Sequence, residues 1–353
     1  MYAHGSGQWA KKIKGQTLYF GAWDDPAGAL EAYREHISET TPELRPRKGR
    51  SLTIDDAVNH YLSAYEDRVE GGEISHTSLT EMKSTARMLI EHFGRDREVI
   101  TIGPLDWQQY KAARSKSRNP TTLGNEITRI RTIMKWCNKS GLCGEVNFGP
   151  DFKKPSARLQ RRVRNERARK LFEPEHIRWI LSECGTNLRA MVLLGINGGL
   201  GPTDCAELRP KHIVDGWLDY PRTKTEVPRS IPLWPETLEW LRRASEERHK
   251  CKLPNVFVRR VNPNNDSPGV GVYDMDRIGK LFRAARVAAC VPDGGFYWLR
   301  STFETIGGNA RDQVAVDSIM GHVDQTMAAV YRQDMDSDRL VAVTNHVREW
   351  LFG

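Results

Sequence analysis

The sequence predicts a mainly helical α+β protein of more than one domain, with strands confined to two short places. Three observations carry this. Apolar residues recur at helical spacing through most of the chain. Short aromatic and β-branched runs with a glycine between them occur at Gln8–Gly21, and a polar hairpin pattern at Gly216–Leu233. The length, 353 residues, exceeds what one ordinary core serves and implies two or three domains.

Residues 1–40 form the first module. A hairpin over Gln8–Gly21 is followed by a helix from Asp24 to Glu39, with Pro26 near its start and Ala27, Ala29, Leu30 and Tyr33 on its apolar side. The stretch Thr41–Gly49 reads as linker by its composition. Residues 50–147 read as all helix. Thr53 caps the first helix, whose opening turn carries Asp55 and Asp56. Further helices are expected over 78–93 (ended by Gly94), 105–114 and 122–139 (ended by Gly141). Arg129, Arg131, Lys135 and Lys139 fall off the apolar stripe of the last, as a solvated face or as a surface for a polyanion. Residues 150–170 carry Lys153, Lys154, Arg158, Arg161, Arg162, Arg164, Arg167, Arg169 and Lys170 against only Asp151 and Glu166. Pro155 and Ser156 are expected to break regular structure, so this is the pattern of a basic, flexible connector, suited to tracking phosphates or merely to linking domains. Residues 171–353 form the last domain. Helices are expected from Pro174 to Cys184, Asn187–Asn197, Glu236–Lys250, Tyr273–Ala289, Arg300–Asn309, Val314–Met320 and Ser337–Leu351.

Composition narrows the function classes. A net charge of +8 and a pI near 9.2 favour polyanionic partners, nucleic acids first among them. The six cysteines, Cys137, Cys143, Cys184, Cys205, Cys251 and Cys290, include no C-x-x-C pair and read as reduced core residues rather than a zinc site or disulfide frame. No signal-peptide core is seen near Met1. The longest apolar stretch, Met191–Ile196, is far too short for a bilayer. A cytoplasmic protein without membrane or cofactor is expected. Nucleotide-loop, zincin, EF-hand and nucleophile-elbow motifs are all missing from the sequence. Asn197-Gly198-Gly199-Leu200-Gly201 is glycine-rich but follows a helix, a poor nucleotide cradle.

What remains is a spaced set. Lys224 sits on the hairpin, with Arg229 five residues on. Arg300 follows in Phe296-Tyr297-Trp298-Leu299-Arg300-Ser301-Thr302-Phe303, then Met320-Gly321-His322, and Tyr331 nine residues after His322. Such a set suits phosphoryl transfer to a side chain. A tyrosine hydroxyl displaces the 5′ oxygen of a phosphodiester, fixed donors such as Arg300 and His322 stabilise the transition state, and Lys224 protonates the leaving oxygen. Taken singly each has a plain reading: Tyr331 as a core tyrosine, Lys224 as a solvated tip charge, Arg300 as a helix-surface charge, His322 as a cap.

In order and spacing, however, the set resembles the tyrosine recombinase (phage integrase) family along essentially the whole chain. Leu299–Thr305 is similar to the family's second box, H-x-L-R-H-T-F-A-T. Met320-Gly321-His322 is similar to its L-G-H, Tyr331 falls at its nucleophile, and Lys224 with Arg229-Ser230-Ile231-Pro232-Leu233 resembles its hairpin lysine and R-x-x-P-L. The resemblance implies a DNA breaking–rejoining catalytic domain at 171–353, a SAM-like helical core-binding domain at 50–147, and an arm-type DNA-binding module at 1–40. It also implies double-stranded DNA as partner, with a monomer when free and a homotetramer on DNA. The segment after the tyrosine often docks on the neighbouring protomer in that family, so the last helix is expected to link protomers. Expected DNA contacts are Arg129, Lys135, Arg161, Arg162, Arg164 and Arg229. Expected catalytic residues are Tyr331, Arg300, His322, Lys224 and Tyr297.

Two departures matter. The family's first box reads T-G-L-R-x-x-E; here it reads Gly199-Leu200-Gly201-Pro202-Thr203-Asp204, so its arginine is replaced by Gly201 while Asp204 keeps the acidic place. The second-box histidine is Tyr297. Gly201 offers at best a backbone N–H, and Arg209 or Arg222 are candidates to fill the gap. Three functions stay open: site-specific recombination through a 3′-phosphotyrosyl intermediate, an impaired DNA-binding relative with an architectural or regulatory role, and a topoisomerase-like nicking enzyme.

Overall fold

The computed structural model describes residues 1–13, 16–40, 51–166, 169–247, 253–261, 269–323 and 335–353. The chain divides into two compact units, Met1–Arg167 and Ala168–Gly353. The first takes in the N-terminal module, the helical stretch and the basic connector.

In the module, β1 (Tyr2–His4), β2 (Gln8–Ile13) and β3 (Gln16–Ala22) form an antiparallel sheet in that order, against which α1 (Pro26–Thr40) packs. The register pairs Tyr2 with Ala10 and Lys11 with Leu18, and shifts by a bulge between Trp9 and Ala10. The first strand was not expected: three residues are too few for a periodic signal.

The helical stretch comprises α2 (Ile54–Glu70), α3 (His76–Phe93), α4 (Pro104–Ser115) and α5 (Pro120–Lys139). Thr53 caps α2 as expected: its Oγ1 accepts from Asp56 N at 3.1 Å, while Asp56 Oδ2 accepts from Thr53 N at 3.2 Å. Ile54, Val58 and Tyr61 from α2, Leu89 from α3, Trp107 and Tyr110 from α4, and Ile127, Ile130 and Met134 from α5 fill the core. One buried carboxylate sits in it. Glu126 accepts from Tyr110 Oη at 2.6 Å and is gripped by both ends of the Arg114 guanidinium, at 2.7 and 2.9 Å.

The basic connector is not wholly irregular. Ser156, expected to break structure, caps a helix α6 (Ala157–Asn165), its Oγ accepting from Leu159 N at 3.2 Å. Serine after proline is a helix start as readily as a break.

In the second unit, α8 (Thr186–Gly198) is the axis. It is buried along almost its whole length. Around it pack α7 (Pro174–Ser182), the short α9 (Pro202–Glu207), α10 (Pro235–Glu247), α11 (Met275–Ala288), α12 (Tyr297–Gly308), α13 (Gln313–Met320) and α14 (Ser337–Phe352). Strands β4 (Ile213–Val214), β5 (Trp217–Asp219) and β6 (Ser230–Pro232) make an antiparallel sheet in sequence order, and β7 (Val258–Val261) pairs with β8 (Gly269–Val272). A side chain at Gly198 would come within 2.6 Å of Ile231, so glycine lets α8 lie against β6. The glycine-rich run at 197–201 thus serves packing. Asn197 ties it down: its Nδ2 donates to Pro232 O, and its Oδ1 accepts from Trp234 N and Thr237 Oγ1, all within 3.0 Å.

The last helix does not stand free for a neighbouring protomer. Leu340, Val343, Val347 and Leu351 of α14 are 0–3% exposed in the core of their own unit. Trp234 Nε1 donates to Thr344 O at 3.0 Å, Arg178 Nη1 to Leu351 O at 2.6 Å, and Arg348 pairs with Glu236 on α10. The apolar stripe read from the sequence is real, and it belongs to the home core. Among the described residues, no helix is long and apolar enough to cross a membrane, and no cluster of His, Cys, Asp or Glu could hold a metal.

Candidate active site

The site is assembled from four chain segments, the end of α8 with α9, the β5–β6 hairpin tip, the start of α12, and the end of α13. Arg300 joins three of them. It lies on the first turns of α12 and is 3% exposed, not a surface charge. Its Nη1 donates to Gly199 O at 2.5 Å, beyond the end of α8, and its Nη2 donates to Met320 O at 2.7 Å, at the end of α13. No carboxylate pairs with it among the described residues. Burial lowers its affinity for its proton, and the neighbouring charge of Arg222 lowers it further.

His322 follows directly. Gly321 ends α13 in the left-handed conformation, at φ 62°. The chain then turns back so that His322 N donates to Asp317 O at 2.9 Å, and the ring Nδ1 lies 3.0 Å from Asp317 Oδ1. An ionised Asp317 accepts from Nδ1–H and leaves Nε2 as the outward nitrogen. The sequence reading missed Asp317. Its signal is the five-residue spacing across a helix end closed by glycine, the spacing at which the chain doubles back.

The hairpin tip brings Lys224. Tyr220 N bonds to Arg229 O and Arg222 N to Val227 O, which extends the ladder beyond β5 and β6. Both Arg222 Nη1 and Thr225 Oγ1 donate to Gly321 O, each at 3.3 Å. The two residues flanking Lys224 closely are therefore tied to the residue before His322. Lys224 itself is exposed and makes no ion pair among the described residues. Tyr297 opens α12 and is 55% exposed. A Cβ at Gly201 would stand 3.8 Å from its ring, so the two departures from the family pattern sit side by side.

The structure thus brings together Arg300, His322, Tyr297 and the Lys224 loop. Tyr331 lies outside the described residues. Arg229, expected as a DNA contact, is instead inside. Its side chain is 0% exposed, Nε donates to Tyr220 O at 2.9 Å, and Nη2 stands 2.9 Å from Asp204 Oδ1, off the direction of a good hydrogen bond. The backbone N–H of Gly201, offered by the sequence as a phosphate donor, is also taken: it donates to Asp204 Oδ2 at 2.8 Å. Arg209, one candidate to fill the gap, is exposed and lines a shallow polar cleft that also holds Glu207 and Glu226.

In the first unit, Arg129 is engaged by Glu81 on α3. Arg131 donates to Phe152 O at 3.1 Å with its guanidinium over the Phe148 ring. Lys135 lines a concave basic surface with Arg131, Lys153 and Lys154. Arg161, Arg162 and Arg164 stand exposed on α6.

No protein-family model and no curated protein sequence matches the chain. Solved structures do. A lambda integrase dimer bound to a COC′ core site superposes with a TM-score of 0.61 at 16% identity, covering 95% of this chain and 96% of that one. The fold is that of the tyrosine recombinases. The Tn1549 transposon integrase in complex with transposon right end DNA gives 0.57 at 14% identity, over 84% of this chain and 99% of that one. XerH site-specific recombinase bound to a palindromic difH substrate gives 0.56 at 13%, over 75% and 78%. At such identities the likeness speaks for the tyrosine recombinase fold; the chemistry rests on the side chains.

Proposed function

We propose that the chain is a site-specific DNA recombinase that cuts and rejoins double-stranded DNA through Tyr331. The Tyr331 hydroxyl attacks a backbone phosphorus, giving its proton up to water, and the bond to the 5′ oxygen breaks. Lys224 gives that oxygen a proton, and a 3′-phosphotyrosyl link forms that keeps the bond energy for rejoining. Arg300 and His322 stabilise the negative charge gathered on the non-bridging oxygens, and Tyr297 adds a hydroxyl donor. Cations of the protein supply that stabilisation, so no cofactor enters the scheme.

The observation that carries this reading is Arg300. Among the described residues no carboxylate pairs with this buried guanidinium, which donates to two carbonyls and is flanked by His322 and the Lys224 hairpin; such a group is costly to bury unless an anion completes it. Residues 50–147 act as the core-binding domain, 1–40 as an arm-binding module, and the exposed arginines of α6 as phosphate contacts. The lambda integrase structures are a dimer on a core site and a tetramer on a Holliday junction; by analogy this chain works as a homotetramer on DNA and is monomeric when free.

A second reading has its own observation. Gly201 lacks the first-box side chain and its N–H is spent on Asp204, which favours an impaired relative that binds DNA without cutting it. Incubation with a nicked suicide duplex carrying the gene's own flanking sequence separates the two. A protease-sensitive covalent adduct supports the recombinase, and binding without adduct supports the architectural protein.

A further inference from the structure

We propose that Arg222 supplies the phosphate-gripping cation that Gly201 lacks, so that the anion clamp of this site is the pair Arg222–Arg300. The inference deepens the recombinase reading and rests on it for the identity of the anion as a DNA phosphodiester.

The first-box position cannot serve. It has no side chain, and its backbone donor is bonded to Asp204. Of the other arginines, Arg229 is fully buried and set against the Asp204 carboxylate. Asp204 also accepts from Thr223 Oγ1 at 3.3 Å, so its charge is spent locally. Arg209 faces a cleft that already holds two carboxylates.

Arg222 differs on each count. It is only partly buried, and no carboxylate pairs with it among the described residues. Its Nη1 donates to Gly321 O, while Arg300 Nη2 donates to Met320 O. The two guanidinium groups therefore hang from consecutive carbonyls at the end of α13. Carbonyl bonds fix their direction without neutralising them. Two like charges held close, with no carboxylate paired to either among the described residues, repel one another, and an anion seated between them lowers that cost. The geometry depends on Gly321. A Cβ there would lie 2.9 Å from Arg222 Cβ, and φ of 62° is itself costly for other residues. The glycine of Met320-Gly321-His322 thus admits Arg222 to the site as well as turning the chain.

The test uses the full-length chain and inorganic phosphate at low ionic strength, read by calorimetric titration, with melting curves confirming that each variant is folded. Wild type should bind one equivalent. Arg222→Ala and Arg222→Gln should each weaken binding at least about tenfold, the loss of roughly one good charge-assisted contact. Glutamine keeps a donor for the Gly321 carbonyl but carries no charge, so its loss isolates the charge. Arg209→Ala should bind as wild type. The proposal is overturned if wild type binds no phosphate, if Arg222→Gln binds like wild type, or if Arg209→Ala loses as much. Adduct formation on the suicide duplex then separates this claim from the one it rests on. With adduct, Arg222→Gln should slow its formation by roughly 10²–10³. Phosphate titrations as expected but no adduct from wild type would leave the clamp standing and sink the recombinase.

Discussion

Truncation after Met335 removes α14 and separates two accounts of that helix. If it links protomers, the shortened chain folds and merely fails to assemble. The structure predicts that it does not fold. Leu340, Val343, Val347 and Leu351 are all 0–3% exposed. At about 1.5–3 kcal/mol for each buried Leu or Val side chain, they contribute roughly 6–12 kcal/mol together. A whole domain is stable by only about 5–15 kcal/mol. Deletion also leaves the buried Trp234 Nε1 without the Thr344 carbonyl and Glu236 without Arg348. A gentler probe is Leu340→Ala, for which a core truncation costs about 2–5 kcal/mol. In a domain of this size that lowers Tm by roughly 4–20 °C. Circular dichroism melts and solubility of the free protein, without DNA, are the assay. A truncated chain that melts like wild type would refute the packing argument and return the helix to the interface between protomers.

Other consequences are equally direct. Replacing Arg161, Arg162 and Arg164 by glutamine should weaken binding to all duplexes alike and reduce the slope of log affinity against log salt by about 0.9 per lost phosphate contact; selective loss of one sequence would mean that they read bases. Burial pushes the Glu126 carboxyl up, but hydrogen bonds from Arg114 and Tyr110 and the Arg114 charge outweigh it and hold it below its ordinary value. That stabilisation is therefore present above about pH 4.5, the unfolded value, and is lost as pH falls through the lower folded value. Glu126→Gln should cost about 3 kcal/mol at neutral pH by stranding Arg114 and flatten acid denaturation of the first unit; an unchanged acid limb in denaturant titrations would contradict this. Gly201→Arg fits the backbone, with φ of −87° and 3.5 Å from its Cβ to Asp204 Oδ2. With the clamp already filled by Arg222, it should give no gain in adduct formation in wild type and partial recovery in Arg222→Ala. A large gain in wild type would show that the site lacks a cation.

Much of this was legible because it rests on local rules. Thr53 before Asp55 and Asp56 announces a capped helix, and the stripe of Leu340, Val343, Val347 and Trp350 announces an amphipathic one. The mainly helical fold with its small hairpin follows from such signals, and the order of Lys224, Arg300 and His322 singles out three segments that the structure brings together. The remainder depends on distance in space. Nothing in the spacing says whether the α14 stripe meets its own core or a neighbour's. Arg229 and Arg222 are both arginines on one hairpin, yet Asp204 draws the first inside while the Gly321 carbonyl holds the second near Arg300. Similarly, Arg129 looked like a free cation on α5 until Glu81, far away in sequence, came to face it. Ser156 misled for a different reason, since the same residue that ends one element can cap the next.

The central claim is the covalent chemistry of Tyr331. Full-length protein is mixed with the nicked suicide duplex, quenched in detergent, digested with protease, and the DNA-linked peptide is sequenced by mass spectrometry. The account predicts a 3′-phosphate ester on Tyr331, with none formed by Tyr331→Phe although that variant still binds the duplex. An adduct that persists in Tyr331→Phe, or one that maps to Tyr297, would contradict it.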